Sequence, residues 1–169
     1  MNKRLIRTFL ILFSLLFMIR TLTIFTADRL YSMSMSAKTG IIIPQKSISL
    51  LNIATKMDST NAEIFSGKFD LYNIELKNLK KEPYHSALSK RNLILKNQLN
   101  IMKRCIDLCP SWAAYHLYYG LTLSRMSIKP NIITQDTIVD QLRKSVELKP
   151  NSDLYEAVLK KYSKSVKNK

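Results

Sequence analysis

A chain of 169 residues bounds the protein to one domain with at most a short additional element. Hydrophobic residues make up 46%, enough for a packed core, while 3 glycines and 5 prolines are too few for the many special turns of an all-β fold. The formal charge of +15 lies mostly beyond residue 28; it favours lipid headgroups, acidic proteins, acidic glycans or nucleic acid, although lysines dispersed in this way also describe a solvated surface.

The chain opens with the basic flank MNKRLIR and the unbroken apolar run TFLILFSLLFMI. Arg20 interrupts the apolar pattern, and TLTIFTA restores it up to Asp28. Residues 8–27 match the ~20 residues needed to span a hydrocarbon core, with Arg20 in the distal half, from which its long side chain can reach the headgroups. A cleaved signal peptide has the same basic start, but Phe25 stands where a small residue is wanted ahead of Ala27. A lipoprotein signal needs a cysteine directly after the apolar run, and the first is Cys105. A soluble core helix does not usually begin with such a run. The expectation is an uncleaved signal anchor. Lys3, Arg4 and Arg7 precede it, whereas Asp28 and Arg29 nearly cancel after it, so the positive-inside rule puts the N-terminus in the cytoplasm and the rest outside, in the periplasm for a Gram-negative source.

Beyond residue 28, three segments share an outline: ATKMDSTNAEIF (54–65), RCIDLCPSWAAYH (104–116) and KSVELKPNSDLYE (144–156). Each ends a helix-like run, passes a turn and restarts an apolar pattern. Aligned on the turn, Ala54, Cys105 and Ser145 are small, Met57, Leu108 and Leu148 are apolar, and Ser59, Pro110 and Pro150 occupy the breaker position. Self-similarity at such spacing is the signature of a helical array. Helical spacing supports it: Phe65, Phe69, Tyr72, Leu76 and Leu79 form one stripe, Leu95, Leu99, Met102, Ile106 and Cys109 another, and Leu154, Val158, Leu159 and Tyr162 a last, shorter one.

With these residues the chain resembles the tetratricopeptide repeat, in which a helix pair ends in small-x-x-apolar-x-Pro and restarts with an aromatic, then apolar-Gly. The third copy carries the resemblance best, with His116 at the aromatic position, Tyr119-Gly120 at apolar-Gly, Leu123 at the next core position, and Ile138, Leu142, Ser145, Leu148 and Pro150 in the second helix. In the second copy Phe65 is the aromatic, but Lys68-Phe69 replaces apolar-Gly. In the first, ADRLYSMSMSAKTG reads as a helix running straight on from the membrane segment, with Pro44 opening the next. The repeat is normally about 34 residues long. The excess is assigned to KKEPYHSALSK in one copy and to SIKPNIITQDT, with a turn at Lys129-Pro130-Asn131, in the other.

Several side chains invite chemistry. Cys105 and Cys109 sit at i and i+4 on one helix face, which allows two metal ligands, yet zinc needs three or four, and His116 and His85 are the sole histidines. Their spacing is not CxxC, a disulfide there is geometrically poor, and burial as small hydrophobes is the simpler reading. The aromatics from Trp112 to Tyr119 read as core, and His116 as a packed, hydrogen-bonded ring. Glu63 and Asp70, or Asp136 and Asp140, read as ordinary exposed carboxylates. There is no phosphate loop, nucleophile elbow or HExxH, so no enzyme, cofactor or metal is expected.

The expected fold is all-α: a basic cytoplasmic flank (1–7), a transmembrane signal anchor (8–27), an array of antiparallel helix pairs forming a TPR-like α-solenoid (28–166) and a basic tail (167–169). The resemblance implies a groove lined by the first helix of each pair. It falls here on Glu63, Ser66, Asp70 and Asn73, then Ala114, Leu117, Leu121 and Ser124, flanked by Tyr118 and Arg125. Such a groove holds an extended or helical peptide. The function implied is a non-catalytic, membrane-anchored scaffold that binds a protein or peptide partner, by analogy an accessory to envelope assembly, export or polysaccharide systems. A structural subunit of a membrane complex, using Arg20 and the small polar residues of the anchor, is one alternative. A basic adaptor for anionic glycan or nucleic acid is another, although nucleic acid is not the expected partner because the aromatics sit at core spacing.

Overall fold

The computed structural model describes residues 3–36, 44–79, 84–126 and 132–167. Among them are seven helices and no strand: α1 (Lys3–Met35), α2 (Pro44–Met57), α3 (Ala62–Asn78), α4 (Tyr84–Leu108), α5 (Ala113–Met126), α6 (Ile132–Leu148) and α7 (Asp153–Lys167). Each packs on its chain neighbours, and α1 also touches α3.

The three similar segments build the same joint. Residues 58–61, 109–112 and 149–152 are four-residue turns linking α2 to α3, α4 to α5 and α6 to α7. The small residue on each preceding helix, Ala54, Cys105 or Ser145, is fully buried. Its carbonyl accepts from the first turn residue: Asp58 N–H at 2.9 Å, Cys109 N–H at 2.8 Å and Lys149 N–H at 3.2 Å. A larger side chain there would hold the paired helices apart. The helices that follow start on local polar bonds. Asn61 caps α3 by accepting from the Glu63 N–H at 3.0 Å, and Ser152 receives the Tyr155 N–H at 2.9 Å. The chain is therefore repeat-like as well as all-helical.

Contacts along the chain alternate in direction. Gln45 meets Glu75 at 3.3 Å where α2 begins and α3 ends. Cys105 lies 3.7 Å from the Ala62 carbonyl, and Gln98 reaches the Phe69 carbonyl, so α4 runs back along α3. A Cβ on Gly120 would stand 3.1 Å from Leu142, which marks a close approach of α5 and α6. The three short turns consequently lie at one end of the array. Side chains link the odd-numbered helices: Tyr31 donates to Glu63 at 3.4 Å, Phe69 stacks on Tyr118 at 5.3 Å, and the Ser124 and Tyr162 hydroxyls are 2.9 Å apart.

The core is continuous through α5. One cluster gathers Leu51, Ile64, Leu71, Met102 and Cys105 with Tyr115 of α5; the other gathers Leu117 of the same helix with Ile138, Leu142 and Tyr155.

Helix α1 runs through residues 27 and 28 without a break, straight on from the apolar segment as its sequence suggested. Its segment Ile6–Met35 is long and apolar enough to cross a membrane. Residues 6–22 are exposed, but Ala27 and Ser34 are fully buried against the array. Arg20, expected to extend toward headgroups, has its guanidinium 3.8 Å from Asp58 in the α2–α3 turn.

The two expected insertions differ in form. Most of KKEPYHSALSK is helical, because α4 begins at Tyr84 and runs 25 residues; the added length of that copy is a longer helix with few residues that resist one. The second insertion is shorter than expected, since α6 starts at Ile132, while Lys129-Pro130-Asn131 lies outside the described residues.

Candidate functional site

A cleft of 830 Å³ opens between α3, α4 and α5. Its floor is apolar: Phe69, Leu76 and Leu79 come from α3 and its end, Leu88 and Leu95 from α4, Tyr118 and Leu121 from α5. Its polar groups are Asn73 and Thr122, and its cations are Lys77, Arg91 and Arg125; no carboxylate is among the described residues that line it.

The helices place these groups for local reasons. Leu88, Arg91 and Leu95 recur at i, i+3 and i+7, which puts all three on one face of α4. Arg91 donates to the Arg125 carbonyl at 3.4 Å, satisfying a C-terminal carbonyl of α5 that has no partner within its helix. Lys77 occupies the last turn of α3, where a cation is favoured by the helix dipole. Asn73 is held in place by Gln98, whose side-chain amide donates to Asn73 Oδ1 at 2.9 Å. Thr122 is buried and returns its hydroxyl to the Tyr118 carbonyl at 2.7 Å.

Phe69 helps to keep the space open. It occupies the α3 position that matches Gly120 on α5. Where Gly120 lets α6 approach closely, Phe69 brings a buried ring that turns to Tyr118 and forms one wall of the cleft.

The residues expected to line a groove separate into three groups. Asn73, Tyr118, Leu121 and Arg125 border this cleft. Glu63, Ser66, Asp70 and Ser124 do not; Glu63 accepts from Tyr31, Ser66 bonds Tyr115, and Ser124 meets Tyr162. Asp70 is half-buried, as is Ala114. Leu117 is buried in the α5–α6–α7 core and presents no groove surface, because its face of α5 meets Ile138 and Leu142. Sequence reasoning missed Phe69, Leu76, Lys77, Leu79 and Thr122 on or beside the first helices, where it chose other positions, and Ala87, Leu88, Arg91 and Leu95 on α4, to which it assigned no groove residue. The Leu88–Arg91–Leu95 spacing was the available signal for α4.

The stretch CIDLCPSWAAYH contains two buried, interacting groups. Burial, and secondarily Cys109 beside it, pushes the Cys105 thiol up to about 12, so it stays protonated and unreactive near neutrality. His116 is buried, its Nε2 donating to the Pro110 carbonyl at 2.8 Å and its Nδ1 2.9 Å from the Gln141 side-chain amide. Both ring nitrogens are thus engaged in holding the turn to α5 and α6. Among the described residues no three His, Cys, Asp or Glu side chains gather as a metal site. The aromatic stripe is not all core, since Trp112 is 58% exposed and Tyr118 is 40% exposed. No protein-family model matches the sequence, and no curated protein matches it.

Proposed function

We propose that the protein is a membrane-anchored, non-catalytic scaffold whose helical array, of the tetratricopeptide-like kind, binds an acidic peptide segment of a protein partner in the α3–α4–α5 cleft. The single observation that carries this reading is the lining of that cleft: an apolar floor under three cations, with no carboxylate among its described lining residues. A segment carrying Asp or Glu beside Leu or Phe satisfies both, its carboxylates meeting Lys77, Arg91 and Arg125 while the apolar side chain covers Tyr118 and Leu121. The solenoid part of the reading is supported by the three equivalent turns and by the side-chain links between odd-numbered helices. The anchor part rests on the exposed apolar half of α1, and the basic flank before it favours a cytoplasmic N-terminus with the array outside.

The cleft lies near the ends of α3 and α5, away from the turns at 58–61 and 109–112, so a partner approaches it from the side remote from the anchor. Panning a random peptide display library against the full chain in detergent tests the reading. Acidic peptides with a large apolar residue are expected, and Arg91→Glu with Arg125→Glu removes their binding. Enrichment that ignores this charge reversal, or no enrichment, contradicts it. A fusion reporter at the C-terminus tests the topology, a cytoplasmic signal overturning it.

A further inference from the structure

We propose that the end of the array bearing the three short turns rests in the headgroup layer of the bilayer, with Trp112 and Leu154 inserted there. The inference rests on the anchor reading of α1, and three independent features lead to it.

The first is length. Past the basic flank, the part of α1 free of the array runs from residue 8 to 19 and rises only ~18 Å, whereas a hydrocarbon core is ~30 Å thick. Beyond it Arg20 already meets Asp58 of the α2–α3 turn. A helix whose free part is too short to span draws whatever is fixed at its end toward the membrane. Leu22 and Phe25, 64% and 62% exposed, continue the apolar surface of α1 past Arg20.

The second is topology. Because neighbouring helices alternate in direction, the turns at 58–61, 109–112 and 149–152 lie together at the end from which α1 leaves. Arg104 donates to the Ser59 carbonyl at 3.1 Å, joining the end of α4 to the first of these turns. The bilayer plane, set roughly perpendicular to α1, faces them.

The third is what the turns present. Trp112, in the second turn, and Leu154, at the start of α7, are 58% and 64% exposed large apolar side chains. An indole with one apolar body and one N–H donor is suited to the headgroup level. Charges nearby are mixed, with Lys56, Arg104 and Lys149 near Asp107 and Asp153, so contact depends on the apolar groups rather than on anionic lipid. The docked array holds the α3–α4–α5 cleft pointing away from the membrane.

Trp112 is the one tryptophan of the chain and reports its own position. The full chain is reconstituted into phosphatidylcholine vesicles containing lipids with a nitroxide at the headgroup or along the acyl chain. Expected is a roughly twofold or greater loss of emission with the headgroup nitroxide, together with protection from aqueous iodide relative to the urea-unfolded chain. The doubly substituted Trp112→Phe, Leu154→Trp chain is expected to behave alike. Chains that float with the vesicles yet show iodide quenching like a free indole, and none by nitroxide, overturn the docking while leaving the anchor intact. Chains that do not float overturn the anchor and the docking with it.

Discussion

Arg20 on α1 and Asp58 in the α2–α3 turn face one another at 3.8 Å, the arginine half exposed and the carboxylate almost wholly buried. Asp58 also accepts from the Thr60 N–H at 3.2 Å and from the Thr60 hydroxyl at 2.8 Å. The two sets of contacts differ in worth. A long, partly solvated ion pair contributes ~0–1 kcal/mol, whereas a buried carboxylate that orders a turn contributes ~1–2 kcal/mol. Asp58→Ala is therefore expected to destabilise the array more than Arg20→Ala, as read from urea unfolding followed by circular dichroism in detergent. Equal losses would show that the ion pair, not the turn, dominates.

Gly67 marks the crossing of α3 over α1. A Cβ there would lie 2.5 Å from the Tyr31 ring and 2.9 Å from the Met35 methyl. Gly67→Ala gains up to ~1 kcal/mol in helix propensity but overpacks the crossing at a cost of ~1–3 kcal/mol, for a net loss. Tyr31→Ala in the same chain makes room, so the double mutant is expected to be more stable than the sum of the single changes allows. Additive losses would place the crossing elsewhere.

The two cysteines should separate in labelling. Cys109 is half-buried and Cys105 fully buried, so a maleimide reagent is expected to modify one thiol in the folded chain and the second only on unfolding. Two fast reactions would contradict the burial.

Alkaline pH should weaken the fold. The Cys105 thiol is pushed up from 9.0 to about 12 by burial and then by Cys109. The Tyr115 hydroxyl is pushed up from 10.0 to about 12 by burial, then by Cys105, Cys109 and Glu63, against a hydrogen bond from Ser66 that lowers it. The folded state keeps both protons where the unfolded chain releases them. Their contribution is complete below pH 9 and is lost as pH rises toward about 12. Unfolding free energies at about pH 8 and about pH 10.5 should fall less steeply in Cys105→Ala than in the parent chain.

The joints of the array were legible in the sequence because each demands a particular residue size. Ala54, Cys105 and Ser145 are fully buried at the ends of paired helices, and their spacing located them. The point at which α1 passes from exposed to buried was not legible. A membrane-spanning segment and a core-facing helix share the same apolar composition, and α1 is exposed over residues 6–22 but fully buried at Ala27 and Ser34. Nor does local periodicity carry a pairing such as Arg20 with Asp58, which depends on how α2 folds back. The α4 side of the cleft was missed for a similar reason: Arg91 and Leu88 belong to a second helix, and they join Phe69 and Tyr118 only after α4 has packed beside α3 and α5. Trp112 shares the aromatic spacing of Tyr115 and Tyr119, yet its place in a turn leaves it outside the core.

The central claim is that the α3–α4–α5 cleft receives an acidic protein segment while the chain is held in its membrane. Site-specific photo-crosslinking tests it most directly, with a benzophenone amino acid placed at Leu88 in the cleft or at exposed Lys103 outside it, in cells that produce the full chain. The account expects an adduct with a defined protein from position 88, absent from position 103 and lost with Arg91→Glu and Arg125→Glu, whose crosslinked peptide is rich in Asp or Glu. No adduct from position 88, or one that survives the charge reversal, would contradict it.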